Sequence, residues 1–140
     1  MERLDQPLIL PRDTHRRMLD HAREALPMEA VGILGGYPSG HVSQAIPLPN
    51  LAGPRAFLAD PRSQYEAEHT LRDLGLALLA IYHSHPGGGA QLSPADRAFA
   101  IHLPAVHVVI ALARPRRPRE QIRAFRIKEG VTLEVGLRIL

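Results

Sequence analysis

His83 and His85 are the residues of this chain best placed to do chemistry. They follow an apolar run over residues 76–81, which is short, continuous and bounded by Gly75, the pattern of a buried strand. Side chains at i and i+2 of a strand share a face, so both imidazoles point the same way and can bind one metal ion. A Gly87-Gly88-Gly89 turn comes next, and then Ser93-Pro94-Ala95-Asp96. Ser at the N-cap, Pro at N1 and an acid at N3 predict a helix start, with Asp96 in a first turn that can swing back toward the histidines. Two His and one carboxylate leave a fourth tetrahedral position open, the arrangement of a catalytic zinc site and not of a structural one. A lone buried His is ordinarily a satisfied core residue, and Ser-Pro-x-Asp alone is ordinarily a cap. The combination is what points to a metal.

The elements that must position these residues are legible in outline. Residues 8–10 read as an edge strand closed by Pro11. Asp13 or Thr14 is placed to cap a helix running to about Leu26, with Met18, His21, Ala22 and Ala25 on one face, and Pro27 ends it. Residues 28–36 form an apolar strand candidate with Glu29 at its mouth. A turn at 37–40 sends residues 42–46 back as a hairpin partner. After a loop over 47–54, residues 56–58 suggest a brief strand, and Asp60-Pro61 opens a helix to about Leu74 with Gly75 at its end. The helix from Pro94 is expected to reach about His102. Residues 106–112 are the most β-prone run and predict a central strand. Residues 114–119 read as a connector, and 121–127 and 131–135 as two closing strands. The expectation is an α/β (α+β mixed) fold over residues 1–140 as one domain, with a central mixed sheet flanked by helices.

A chain of 140 residues suits one domain with a real core, and with 45% hydrophobic but only 4% aromatic residues, Leu, Val, Ile and Ala must build it. Cysteine is absent, which excludes a disulfide scaffold and thiolate-bound zinc, including the deaminase signature that needs Pro-Cys-x-x-Cys. The net charge of +3 rests on arginine, Lys128 being the single lysine, and an excess this mild does not argue for nucleic acid. The N-terminus lacks a charged-then-apolar signal pattern and no apolar run approaches membrane-spanning length, so a soluble cytoplasmic protein is expected.

Hydrolysis at such a site also needs a base for the attacking water. Glu24, Glu66 and Glu68 lie on helix candidates and read as solvated surface, whereas Glu29 heads a strand that should be buried, where an acid is costly without a partner or a role. With Glu29, then His83-Ser84-His85, ten residues, and Asp96 preceded at three positions by Ser93, the chain resembles the JAMM or MPN-plus (Mov34/MPN/PAD-1) metalloprotease family, in its compact prokaryotic form. The resemblance implies an MPN/JAB-like domain with cytidine-deaminase-like layering. It implies Zn2+ on His83, His85 and Asp96 with water as fourth ligand. Glu29 would be the general base that later protonates the leaving amine, and Ser93 the donor to the oxyanion. Ser84 is expected to be a structural hydrogen-bonder. Other His-x-His architectures fit worse: a cupin needs a Glu shortly after the second His, and none occurs between Pro86 and Arg119. An amidohydrolase barrel needs far more chain. The ligand types alone leave a facial-triad iron site open, although its usual His-x-acid spacing is absent.

The resemblance further implies cleavage after the C-terminal glycine of a ubiquitin-like or sulfur-carrier protein of the β-grasp kind, as an isopeptidase or peptidase. The alternative within enzymes is release of a single amino acid such as cysteine from a carrier adduct. The family often pairs, so a homodimer is compatible, though nothing in the sequence marks an interface. A different class is a nucleic-acid- or protein-binding module using Arg114, Arg116, Arg117 and Arg119. With no aromatic residues interleaved, the favoured reading of that stretch is an exposed connector kept soluble by charge.

Overall fold

The computed structural model describes residues 6–53, 55–100 and 105–140. In chain order the elements are β1 (Leu8–Leu10), α1 (Arg12–Ala25), β2 (Val31–Gly36), β3 (Val42–Leu48), α2 (Pro61–Asp73), β4 (Ala77–His85), α3 (Pro94–Ala100), β5 (Val106–Ala111), β6 (Gln121–Lys128), β7 (Val131–Val135) and β8 (Leu137–Ile139). Six strands form a mixed sheet in the order β3-β2-β4-β5-β6-β7, and β1 pairs with β8 in a separate two-stranded sheet. Only β4 and β5 run parallel within the large sheet; the other pairs are antiparallel. Parallel neighbours need a crossover, and here it is the segment carrying the glycine turn and α3. Among the described residues no helix is long and apolar enough to cross a membrane.

The core lies on both faces of the sheet, as expected when central strands are apolar on both sides. On one face Leu10, Met18 and Ala22 pack with Ala80, Tyr82, Val108 and Ile110. Thr14, Met18 and Ala22 are the buried residues of α1, a single stripe four residues apart. On the other face Val31, Ile33 and Ile81 meet Ala67 and Leu71 of α2. That helix starts as predicted: the Asp60 carboxylate accepts from the Ser63 backbone N–H and Pro61 takes the first helical position. Gly75, at φ +72°, supplies the left-handed residue that ends it.

Three details differ from the sequence expectations. α1 begins at Arg12 with Pro11 at its cap and no side-chain cap bond, because Thr14 is drawn into the core. Residues 56–58 are not a strand; Asn50 and Ala59 make an isolated bridge, and the Asn50 side chain takes backbone partners that a strand would need. Residues 137–139 form a strand parallel to β1, a pairing of distant segments that short apolar stretches do not announce. The predicted run of the third helix to His102 ends outside the described residues.

β2 and β4 pair with Val31 opposite His83 and Gly32 opposite Tyr82. The Tyr82 ring fills the space over Gly32, where a Cβ would lie 2.3 Å from Tyr82 Cε2, and the Tyr82 hydroxyl meets His21 Nδ1 at 2.7 Å. Tyr82 is 1% exposed, so neither ring nor strand has room to retreat. Gly32→Ala is therefore expected to destabilise the protein by about 1–3 kcal/mol, the range for overpacking. Urea unfolding monitored by circular dichroism checks it, and an unchanged midpoint would show that the ring is free to move.

Candidate metal centre

The site gathers at the carboxyl end of β4. Alternation along the strand turns Ile81, His83 and His85 to the α2 side and Tyr82 and Ser84 to the other. Ser84 sews β4 to the segment before β2: its N–H donates to the Ala30 carbonyl at 3.0 Å, and its Oγ accepts from the Ala30 N–H at 2.8 Å. These two bonds extend the β2–β4 pairing by one residue and bring Glu29 to the level of His85. Ser84 is thus structural, as expected.

Asp96 arrives from the other side of the crossover. The Ser93 Oγ accepts from the Asp96 N–H at 3.0 Å, and the Asp96 Oδ2 accepts from the Ser93 N–H at 2.9 Å. This reciprocal cap locks the first turn of α3 and aims the carboxylate. Asp96 Oδ2 stands 3.0 Å from His83 Nε2 and 3.0 Å from His85 Nε2, and the two Nε2 atoms are 3.2 Å apart. Glu29 joins them, each of the four residues offering a ligand atom within 4.8 Å of the others. His83 is 0% exposed, Glu29 5% and Asp96 6%. All five residues named from the sequence, Glu29, His83, His85, Ser93 and Asp96, therefore fall in one place.

The electrostatics of this cluster are those of a cation site. Burial pushes His83 below its ordinary range against the pull of Asp96. Burial acts the same way on His85, but the bonds to Asp96 and to the Gly89 carbonyl, with the charges of Asp96 and Glu29, outweigh it and raise its pKa. Burial would raise Asp96, yet the bonds from His83, His85 and the Ser93 N–H hold its carboxyl well below the carboxylate range. Burial first, helped by the charge of Asp96 and opposed by His85, lifts Glu29 to about 7. Glu29 Oε1 has no hydrogen-bond partner among the described residues.

The donor set fits a tetrahedral metal. A carbonyl only accepts, so His85 Nδ1, 2.9 Å from the Gly89 oxygen, carries a proton; the Nε2 that meets Asp96 is the nitrogen left to offer a lone pair once its own proton is released. His85 Nε2, the carboxylate oxygen and His83 Nε2 form a triangle with sides of 3.0, 3.0 and 3.2 Å. Zinc with ligands at about 2.0–2.1 Å in tetrahedral array spaces its donors by roughly 3.3 Å, close to the separations found here.

Several residues that hold the site carry no ligand spacing and were not readable in advance. Phe57 stacks on the His83 ring at 4.3 Å between centroids and meets Phe99 edge-on at 5.1 Å. Asn50 Nδ2 donates to the Glu29 carbonyl at 2.9 Å and to the Ala56 carbonyl at 3.1 Å, while its Oδ1 accepts from the N–H groups of Ala52 and Leu58. Of the four connector arginines, Arg116 and Arg119 are exposed as expected, while Arg114 and Arg117 brace the glycine turn. Arg114 donates to the Gly87 carbonyl at 2.6 Å, and Arg117 to those of Gly88 at 2.9 Å and Leu112 at 2.8 Å. With His85 on Gly89, three consecutive carbonyls are each held by a side chain. A cleft of about 400 Å³ opens beside the cluster, with Glu29, His85, Ser93, Arg55, Gly87 and Gly88 among the residues that line it.

Comparison with known proteins places these features in context. The family described as "Prokaryotic homologs of the JAB domain" matches residues 11–128. A Thermus thermophilus protein named "Probable TtuB-protein conjugate cleaving protease" is 37% identical over 95% of this chain and 83% of its own length. The "CysO-cysteine peptidase" of Mycobacterium tuberculosis is 29% identical over 95% of this chain and 91% of its own. Among solved structures, a protein from Desulfitobacterium hafniense superposes with a TM-score of 0.86 at 34% identity, covering 95% of this chain and 92% of that one. A JAB1/MPN domain protein from Archaeoglobus fulgidus shares the fold with a TM-score of 0.61 at 18% identity, over 94% of this chain and 99% of that one.

Two measurements test the centre. His85→Ala is expected to abolish binding of Zn2+ in calorimetry, since it removes a ligand; binding at wild-type affinity would refute the assignment. Glu29, raised from 4.5 to about 7, favours the folded state while it is protonated, so that stability is complete below pH 4.5 and lost as pH rises through 7. Glu29→Gln is expected to stabilise metal-free protein relative to the wild type by about 2–3 kcal/mol more at pH 8 than at pH 4.5. Denaturant titrations at the two pH values check this; a gap independent of pH would mean that the carboxyl ionises freely.

Proposed function

Because the chain belongs to the family of prokaryotic JAB-domain proteins, we propose that it is a zinc-dependent peptidase that hydrolyses the bond after the C-terminal glycine of a ubiquitin-like or sulfur-carrier protein. The observation that carries this reading is the convergence of Glu29 on the His83, His85 and Asp96 donors within 4.8 Å, at the wall of an open cleft. Both named relatives are peptidases, and both names specify a carrier-linked substrate, a TtuB–protein conjugate in one and CysO-cysteine in the other.

His83, His85 and Asp96 are the residues that would hold zinc. Bound there, zinc supplies Lewis-acid polarisation of the scissile carbonyl and acidifies a water molecule. Glu29 does the proton work. Buried beside the donors, with Oε1 unpaired, it is placed to accept the proton of the attacking water and return it to the leaving nitrogen, the two roles that a poised carboxyl serves. Ser93 has its Oγ lone pair engaged by the Asp96 N–H. Its own O–H proton is free to donate toward the cleft, where charge develops on the carbonyl oxygen. Arg114, Arg117 and His85 fix the glycine turn that forms one wall of the cleft, so the ground on which substrate lies does not have to be ordered at each turnover.

Mass spectrometry of a β-grasp carrier bearing a C-terminal extension, incubated with zinc-loaded protein, tests the proposal. Cleavage after the terminal glycine is expected, and Glu29→Gln is expected to retain zinc while turnover falls by at least about 100-fold, the weight of a general base. Undiminished turnover in that variant would move the base elsewhere. Intact carrier in the presence of zinc-loaded wild type would remove the substrate assignment.

A further inference from the structure

Several arginines of the described residues are committed. Arg23 pairs with Glu120, Arg62 with Glu66 and Arg123 with Glu134, while Arg114 and Arg117 bind carbonyls. Arg55 is different: it lines the cleft beside Glu29, His85 and Ser93, lies exposed, and among the described residues pairs with no carboxylate. Its position is not left to loop chance. The Asn50 amide nitrogen bonds at once to the Glu29 carbonyl and to the carbonyl of Ala56, so the residue after Arg55 is one bridging atom from the backbone of Glu29. Leu51 N–H to Leu58 O at 2.8 Å closes the same loop. A guanidinium on an anchored loop thus lines the cleft beside Glu29, and among the described residues it is paired with no carboxylate.

We propose that Arg55 determines specificity by binding a free α-carboxylate on the leaving side of the scissile bond, so that the preferred substrate is a carrier whose terminal glycine is amide-linked to a single amino acid. This rests on the peptidase reading above and narrows it. In such an adduct the carboxylate lies two bonds beyond the scissile nitrogen, within a short reach of groups that bind that nitrogen, and guanidinium and carboxylate match as a two-pronged pair. In a conjugate to a lysine side chain the leaving nitrogen sits on a four-carbon stem and brings no carboxylate into the cleft. The reaction is plain hydrolysis: water adds its oxygen to the glycine carbonyl carbon, the C–N bond breaks, and the amine leaves with the proton that Glu29 returns.

The test uses zinc-loaded protein and three substrates built on one β-grasp carrier: glycine linked to cysteine as the free acid, to cysteine as the carboxamide, and to the Nε of a lysine peptide. The expected result is a kcat/KM for the free acid about 10–100-fold above the carboxamide, expressed mainly in KM, the range for one charge-assisted pair. Arg55→Gln should bring the free acid down to the carboxamide, and Arg55→Lys should restore part of the difference. Equal rates on acid and carboxamide in the wild type, or an equal loss on both in Arg55→Gln, would overturn the proposal while leaving the peptidase reading intact. Calorimetric binding of uncleaved adducts to Glu29→Gln, with and without Arg55→Gln, keeps the two claims apart. Without any cleavage, a preference for the acid that depends on Arg55 would uphold carboxylate recognition and remove the hydrolytic reading, and no such preference would overturn it.

Discussion

One carboxylate oxygen, Asp96 Oδ2, carries the architecture of the site. It faces two imidazole nitrogens at 3.0 Å each and takes a third bond from the Ser93 N–H. Everything else follows from the need to assemble these partners. The histidines come from the end of a central strand, the acid from the first turn of a helix, and the crossover between β4 and β5 is what brings the two together. Burying an anion with so little solvent is unfavourable unless every lone pair is met. The protein meets Oδ2 with the two imidazoles and the Ser93 N–H, and beside it Glu29 has Oε1 without a hydrogen-bond partner and a pKa lifted to about 7.

The parts of the site legible in the sequence were those whose geometry is local. A spacing of two on a strand puts His83 and His85 on one face, and a spacing of three at a helix start makes Ser93 and Asp96 bond to each other. Glu29 was recoverable because an acid at the head of an apolar strand is anomalous, and the pairing of Val31 with His83 then sets its distance. What could not be read depends on register between distant segments. Arg114 and Arg117 look like solubilising charge in the chain, and become braces only because their turn folds back over Gly87 and Gly88. Phe57 seemed part of a strand; its real task is the flank of His83, a contact no periodicity encodes. The strand over residues 137–139 has no local signal for the same reason, since its partner is β1.

The glycines divide along the same line. Gly75 was legible as a helix terminator because the conformation it supplies is local. Gly32 read as an ordinary apolar-strand residue, although the Tyr82 ring across the β2–β4 pair leaves no room there for a side chain. Sequence pattern shows which residues are apolar; it does not show which of them lie under a neighbour's ring.

The Asn50 side chain has a broader meaning for how such sites diversify. All four of its bonds go to backbone atoms: the carbonyls of Glu29 and Ala56 and the N–H groups of Ala52 and Leu58. The footing of the 50–58 loop is therefore indifferent to the side chains the loop displays. Residues such as Arg55 are exchangeable without moving Glu29, because the loop and Glu29 are joined through their backbone carbonyls and the Asn50 amide. A fold built in this way separates what a loop displays from where the buried acid stands, with one amide as the seam between them.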